Sequence, residues 1–205
     1  MEQALVVSNL LLWIAVLVLA AVVFALVRQI GVLYERVAPA GALMLAGGPR
    51  VGEAAPRFAL DDVFGRATSL GGDDPENRQT LLLFVSPTCP VCKTLLPVAK
   101  SLAAREPRAS RKSGLRLVFA SDGQEDHVAF VRKHALDAFP YLVSTELGLA
   151  HQVGKLPFAV LWDARGIVRA KGLVNSREHL ESLFEAMDRG VASIQEYVSR
   201  AGGSR

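Results

Sequence analysis

Residues 80–93 read TLLLFVSPTCPVCK, an apolar run followed at once by the two cysteines of the chain, Cys89 and Cys92. A short, continuous apolar run predicts a strand that is buried on both faces. Pro90 suits the first position of a helix, because an N–H at that position would have no intrahelical partner. The stretch therefore predicts a buried strand, a tight connection and a helix whose first turn carries both thiols.

Strand and helix patterns alternate through the rest of the chain. The predicted strands are 57–60, 67–70, 80–86, 115–121, 158–163 and 167–172, and the predicted helices are 90–105, 124–135, 145–153 and 176–188. A short turn separates the last two strands, which predicts that they form a β-hairpin. This order predicts an α/β fold in which helices flank a central mixed sheet.

The N-terminus has a different character. Residues 4–27 form a run without a charged side chain, which as a helix would span roughly 36 Å, enough to cross a bilayer core of about 30 Å. A cleaved signal peptide would need a basic start and a shorter apolar stretch, whereas no Lys or Arg precedes this run. We therefore predict one transmembrane anchor over 1–27.

The remaining boundaries follow from breaks in the pattern. Proline and glycine at Pro39 and Gly41 interrupt regular structure, so 28–50 is interpreted as a juxtamembrane helix and linker. The α/β domain is predicted over 51–190, and 191–205 is a polar C-terminal tail.

Composition excludes several classes of function. The formal net charge of +3 is spread without a basic block, which argues against nucleic-acid binding. Two cysteines in 205 residues also exclude a disulfide-dense secreted scaffold.

The spacing of the two cysteines favours redox chemistry. At a helix N-terminus the free N–H groups and the helix dipole stabilise a thiolate, so Cys89 is the predicted nucleophile. Cys92 lies one turn later on the same face, within reach of a disulfide, and is the predicted, more buried resolving thiol. Lys93 adds positive charge nearby, and Thr88, Pro90 and Val91, which flank Cys89, are predicted with it to tune the site or to line the substrate groove. Pro157 precedes a strand and, together with Leu156, is predicted to line a groove for the substrate.

Two other interpretations remain open on the residues alone. A structural disulfide across so short a loop would remove little entropy from the unfolded chain. A zinc site would need further ligands, and the four histidines (127, 134, 151 and 179) are scattered. We expect His127 and His134 to lie on a solvated surface. We expect no cofactor beyond a Cys89–Cys92 disulfide, and no metal.

Taken together, these features resemble the membrane-anchored branch of the thioredoxin superfamily. The resemblance covers about 51–188 and rests on the CPVC helix start, Pro97 within the helix, GKLP at 154–157 and WDARGIV at 162–168. It implies a thioredoxin-like fold and thiol–disulfide exchange through Cys89, Cys92 and Pro157.

The chain also resembles, over nearly its whole length, the methylamine dehydrogenase accessory proteins of methylamine-utilising bacteria. That resemblance rests on RQIGVLYERVAPAGAL (28–43) and SPTCPVCKTLLP (86–97). It implies a role in maturing the disulfide-rich small (beta) subunit of methylamine dehydrogenase, which would be the client, with a membrane thiol-redox protein as second partner.

Several positions depart from the thioredoxin pattern. Thr88 stands where thioredoxins have tryptophan, and Pro90 and Val91 replace their Gly-Pro pair. Leu83 lies where thioredoxin has a buried carboxylate, and Leu95 replaces a glutamate found in some anchored reductases. Without a local carboxylate, proton transfer from Cys92 would depend on water or on the substrate.

Three functions are compatible with this pattern. The leading hypothesis is a membrane-anchored thiol–disulfide oxidoreductase; the alternatives are a non-catalytic chaperone or scaffold for the same client and a peroxiredoxin-like peroxidase. Arg28 and Arg36 follow the span and favour a cytoplasmic domain. Disulfide chemistry belongs outside the cytoplasm, so we predict a single-pass protein of the bacterial inner membrane with a periplasmic catalytic domain.

Overall fold

The computed structural model describes residues 2–36, 47–104 and 114–190. Contacts divide the chain into two units, Met1–Pro39 and Ala40–Arg205. Residues 37–46 of the predicted juxtamembrane helix and linker and the whole predicted tail lie outside the described residues, and the boundaries at 50 and 190 stay predictions.

The first unit contains one long helix, α1 (Glu2–Arg36). Its segment Val6–Phe24 is long and apolar enough to cross a membrane, and its side chains are exposed rather than buried in protein. Because this apolar surface is not buried in protein, the helix fits the predicted transmembrane anchor.

The second unit contains seven strands and four helices among the described residues. They are β1 (Phe58–Asp61), β2 (Ala67–Leu70), β3 (Gln79–Phe84), α2 (Pro90–Ala103), β4 (Leu115–Ser121), α3 (His127–Lys133), β5 (Tyr141–Val143), α4 (Thr145–Ala150), β6 (Phe158–Trp162), β7 (Val168–Leu173) and α5 (Arg177–Asp188).

Five of these strands form the central sheet, in the order β5-β4-β3-β6-β7. Strands β3, β4 and β5 are parallel, whereas β6 and β7 run antiparallel to their neighbours. Strands β1 and β2 form a separate antiparallel pair. The predicted α/β fold with a central mixed sheet and flanking helices is confirmed.

Strand β3 lies at the centre of this sheet and is buried on both faces, as its continuous apolar run predicts. Its alternate residues enter two cores: Leu81 and Leu83 pack with α2 and α5, and Leu82 and Phe84 pack on the opposite face. The central position of β3 fixes the place at which the cysteine motif leaves the sheet.

The sequence prediction missed one strand and misplaced one helix start. Strand β5 has only three residues, too few for a periodic pattern, and it exists because Tyr141 pairs with Phe119 of β4. Helix α3 begins at His127 instead of residue 124, because the side chain of Asp126 accepts the backbone N–H of Ala129 and caps the helix there.

Candidate active site

A short turn after β3 presents Cys89 at the start of helix α2. Ser86 holds this turn: its carbonyl accepts the N–H of Cys89 at 3.1 Å and its hydroxyl accepts the N–H of Thr88 at 3.2 Å. The two hydroxyls of Ser86 and Thr88 are also 2.9 Å apart. Ser86 was not among the predicted site residues, although a serine directly after a buried strand is a common turn signal.

The side chain of Cys89 caps the helix. Its backbone is extended, Pro90 occupies the first turn, and the N–H of Cys92 donates to the Cys89 sulfur at 3.1 Å. A sulfur in this position receives the free N–H groups and the positive end of the helix dipole, which stabilise a thiolate. Both cysteines are present as free thiols, and the geometry matches the predicted arrangement.

Cys92 is enclosed whereas Cys89 is half-buried. Cys92 is 0% exposed and shares the apolar face of α2 with Leu95, Leu96 and Ala99. Burial, with a smaller contribution from the Cys89 side chain, raises the pKa of the Cys92 thiol to about 12 against the opposing effect of a hydrogen bond involving the Ser86 backbone. Cys92 therefore holds its proton at neutral pH while Cys89 faces solvent.

The predicted tuning residues form the exposed surface around Cys89. The side chains of Thr88, Pro90, Val91 and Lys93 are all exposed, and that of Val91 is apolar, with 41% of its surface exposed. A partner protein that approached Cys89 would meet these residues first.

Pro157 lies at the same end of the sheet. Strand β6 pairs with β3 so that Phe158 faces Phe84, and Pro157, the residue immediately before β6, lies level with the start of the cysteine turn. The Leu156–Pro157 bond is cis, and Pro157 is buried. Its neighbour Leu156 is exposed and lines a cavity of 390 Å³ together with Val85.

The region beneath the motif is apolar at Leu83 and Leu95, the two positions at which the resemblance implied a missing carboxylate. Leu83 and Leu95 are 0% and 2% exposed and belong to the same core cluster as Cys92. Neither can accept a proton, so any group that deprotonates Cys92 must come from elsewhere.

The expectation of a solvated surface is wrong for His127. This side chain is 7% exposed, and its Nδ1 lies 3.3 Å from the Tyr141 hydroxyl. The prediction failed because β5 was missed, and β5 supplies the tyrosine that covers this face of α3. His134 is half-buried beside the ring of Phe130.

His151 lies in a different core from the cysteines. His151 is 1% exposed and stacks on Trp162 in the opposite core, where burial lowers its pKa to about 4. Within residues 2–36, 47–104 and 114–190, no three His, Cys, Asp or Glu side chains are grouped to hold a metal ion.

Comparison with known proteins gives close relatives. No protein-family model matches the chain. The chain is 48% identical over 200 residues to the methylamine utilization protein MauD of Paracoccus denitrificans, covering 97% of this chain and 96% of that protein. It is 49% identical over 198 residues to the MauD protein of Methylorubrum extorquens, covering 96% and 93%. The MauD protein of Paracoccus versutus is 47% identical over 196 residues, with 95% of each chain covered.

Solved structures show the fold. The thioredoxin domain of a thiol-disulfide oxidoreductase from Bacteroides vulgatus aligns with a TM-score of 0.54 at 17% identity, over 69% of this chain and 98% of that one. A thiol:disulfide interchange protein from Bacteroides sp. aligns with a TM-score of 0.51 at 18% identity, over 65% and 88%. The fold is thioredoxin-like, as the resemblance implied.

Proposed function

The chain belongs to the MauD family of methylamine utilization proteins, and we propose that it is a membrane-anchored thiol–disulfide oxidoreductase of that process. Its proposed client is the disulfide-rich small subunit of methylamine dehydrogenase, whose disulfides it forms, reduces or isomerises during maturation. One observation supports this proposal above the others: the N–H of Cys92 donates to the sulfur of a half-buried Cys89 at a helix N-terminus. This geometry favours a nucleophilic thiolate with a second thiol within reach.

In the reducing direction, the thiolate of Cys89 attacks a client disulfide, and one client sulfur leaves as a thiolate. The resulting mixed disulfide joins Cys89 to the client. Cys92 then loses its proton and attacks the sulfur of Cys89, which releases the second client thiolate and leaves a Cys89–Cys92 disulfide. The oxidising direction is the reverse sequence, and the potentials of the partners decide which one runs.

The surroundings of the cysteines fit a protein substrate. Pro157 and Leu156 lie at the sheet end from which Cys89 projects, and exposed apolar side chains such as Val91 flank it. An extended client segment would lie between these two sides. We assign Cys89 and Cys92 as the catalytic pair and Pro157 as the residue that shapes the groove.

The test traps the mixed disulfide. Full-length Cys92→Ala, expressed with the client subunit, should accumulate a covalent adduct through Cys89 that is visible on a non-reducing gel and removed by dithiothreitol. Cys89→Ala is the matched control and should give no adduct, because Cys92 is buried. Absence of any adduct from Cys92→Ala with the cysteine-rich client would contradict dithiol exchange.

The scaffold hypothesis makes the opposite prediction for maturation. A double Cys89→Ser, Cys92→Ser variant keeps the fold and its surface but removes both thiols. Failure of that variant to support active methylamine dehydrogenase supports exchange, whereas normal maturation would assign the protein a non-catalytic role.

We propose a single inner-membrane pass through α1 and a periplasmic thioredoxin-like domain. Oxidised protein thiols are typical of that compartment and rare in the cytoplasm, although Arg28 and Arg36 follow the span. After mild reduction of whole cells, a membrane-impermeant thiol reagent should label Cys89. Labelling that occurs only after the cells are lysed would place the domain in the cytoplasm.

A further inference from the structure

A cavity of 390 Å³ opens beside the cysteine turn and takes no part in the sulfur chemistry itself. Residues at the carboxyl ends of the parallel strands β3 and β4 line it, and helix α4 and the segment 153–156 form its other walls. The carboxyl ends of parallel strands are the usual place for a binding crevice in an α/β sheet. The volume falls within the range of pockets that bind small molecules and is ample for one large side chain.

The walls of this cavity are largely apolar. Phe84 and Ala120 are buried and Val153 is half-buried, so they form the inner surface. Leu149 and Leu156 lie at the opening, where 71% and 36% of their surface is exposed. The fold leaves the apolar surface of these two leucines uncovered, and a group that covered it would gain free energy from its removal from water.

The polar groups of the cavity do not oppose an apolar occupant. The hydroxyl of Ser144 accepts the N–H of Leu147 at 3.1 Å and caps helix α4, and the hydroxyl of Ser121 donates to the carbonyl of Asp122 at 3.4 Å. The other polar lining residues are exposed: Asp122, Thr145 and Lys155. An apolar side chain can therefore enter without breaking the hydrogen bonds of the two serines, while the charged groups stay in water.

The cavity adjoins the place at which Cys89 reacts. Val85 lines it and is followed directly by Ser86, whose carbonyl accepts the N–H of Cys89 at 3.1 Å. On the other side Leu156 lines it and directly precedes Pro157. Only the turn 86–88 thus separates the cavity wall from Cys89, and a polypeptide joined to Cys89 has its neighbouring residues at the edge of the cavity.

The segment 154–156 leaves backbone groups available beside this opening. Its N–H and C=O groups make no hydrogen bond to any described residue. An extended chain laid along the segment can pair with those groups in the manner of an added strand. Successive side chains of an extended chain point to opposite sides, so alternate side chains of the bound chain would face the cavity.

We propose that this cavity binds a large apolar side chain of the client polypeptide, close in sequence to the cysteine that exchanges with Cys89, and so selects which client disulfide is attacked. The proposal rests on the proposed dithiol exchange and names the kind of client sequence that the site takes. Leu149, Val153 and Leu156 supply the apolar contact. Gly148 keeps the space free, because it lines the cavity and an added Cβ there would meet open space.

Peptide disulfides measure this selection. Each short peptide of serine and glycine carries one cysteine as a mixed disulfide with thionitrobenzoate, and a single phenylalanine or alanine at a varied distance on either side of it. The protein is full-length Cys92→Ala in detergent, so that the reaction stops at the first exchange. The Cys89 thiolate attacks the peptide sulfur, the Cys89–peptide bond forms, and thionitrobenzoate, the thiol of lower pKa, leaves as the thiolate with the electrons of the broken bond. Its colour gives the second-order rate constant.

We expect phenylalanine to raise this rate constant on the order of 10-fold over alanine, as an apolar pocket can. The gain should occur on one side of the cysteine only, since pairing with 154–156 fixes the chain direction, and should alternate along the peptide. Leu149→Asn should remove most of the gain by loss of contact, and Gly148→Phe should remove it because the new ring fills the cavity. Each rate is divided by that of 5,5′-dithiobis(2-nitrobenzoate), which reports the reactivity of Cys89 alone.

Phe64→Asn is the matched control. Phe64 is also an exposed apolar side chain, 37% exposed, but it lies in the turn between β1 and β2 and does not line the cavity. This variant should keep the full gain from phenylalanine.

Several results would overturn the proposed pocket: no gain from phenylalanine at any position, an equal gain at every position, or a gain that survives both Leu149→Asn and Gly148→Phe. Absence of a gain, together with a dimer in detergent that Leu149→Asn converts to a monomer, would assign the cavity to a second copy of this chain. Failure of every peptide to react, while 5,5′-dithiobis(2-nitrobenzoate) still modifies Cys89, would instead contradict the proposed exchange with a polypeptide.

Discussion

The enclosure of Cys92 predicts a large difference in reactivity between the two thiols. Alkylation by iodoacetamide requires the thiolate, and the Cys92 thiol has a pKa of about 12 against an ordinary value of 9.0. At pH 8 this difference reduces the thiolate fraction of Cys92 from about one tenth to about one part in ten thousand. We therefore expect Cys92 in the folded, reduced protein to react about a thousand times more slowly than in the same chain unfolded in urea.

The assay is a timed reaction with mass spectrometry. Trypsin cleaves after Arg78 and Lys93, so both cysteines lie in one peptide, 79–93. Fragment ions that separate Cys89 from Cys92 assign each added group. Cys89, half-buried and exposed to reagent, should account for nearly all of the early product.

The Cys89→Ser variant tests the cause of the effect. Burial is the largest contribution to the raised pKa of Cys92, and the Cys89 side chain adds to it. Without the Cys89 thiol, Cys92 should become somewhat more reactive but stay slow. Alkylation of Cys92 in folded protein within tenfold of its rate in urea would refute the reasoning, because it would mean that the thiol is not enclosed.

Three further outcomes follow from the same structure. Above pH 9 the unfolded chain releases the Cys92 proton while the folded chain holds it up to about pH 12. Urea titrations should therefore show the free energy of unfolding of the reduced protein falling by about 4 kcal/mol more than that of the oxidised protein over this window, because both forms also lose the contribution of Tyr141. Asp62→Asn should destabilise the protein by about 2–3 kcal/mol at pH 7, because the enclosed carboxylate accepts three hydrogen bonds. Burial alone would raise the pKa of Asp62, but those hydrogen bonds lower it overall. The stabilisation by Asp62 should therefore be lost as pH falls below about 4. An equal difference in the free energy of unfolding between wild type and Asp62→Asn at pH 7 and at pH 2 would contradict this explanation. Gly166→Ala should lower the melting temperature by several degrees, corresponding to about 1–3 kcal/mol. Gly166 has φ +74°, and an added Cβ would lie 2.4 Å from a backbone nitrogen. Gly148→Ala is the control: an added Cβ there would meet open space, so the melting temperature should not change.

The sequence alone was sufficient for the local features of the site. The apolar run predicted as strand 80–86 forms the buried strand β3 (Gln79–Phe84), because its leucines and Phe84 find apolar neighbours on one face or the other. Pro90 starts the helix since it needs no N–H partner, and the three-residue spacing then places Cys92 one turn from Cys89. The candidate membrane-spanning segment could equally be recognised from the sequence, because length and the lack of charge are properties of a single stretch of chain.

The tertiary structure decided everything that depends on residues distant in the chain. The pKa of Cys92 follows from enclosure by helices and strands that no local pattern specifies, and Pro157 reaches the site only through the pairing of β6 with β3. Strand β5 is too short to be recognised from its own residues. Its pairing with β4 brings Tyr141 against His127 and turns a histidine that was expected to be solvated into a buried one.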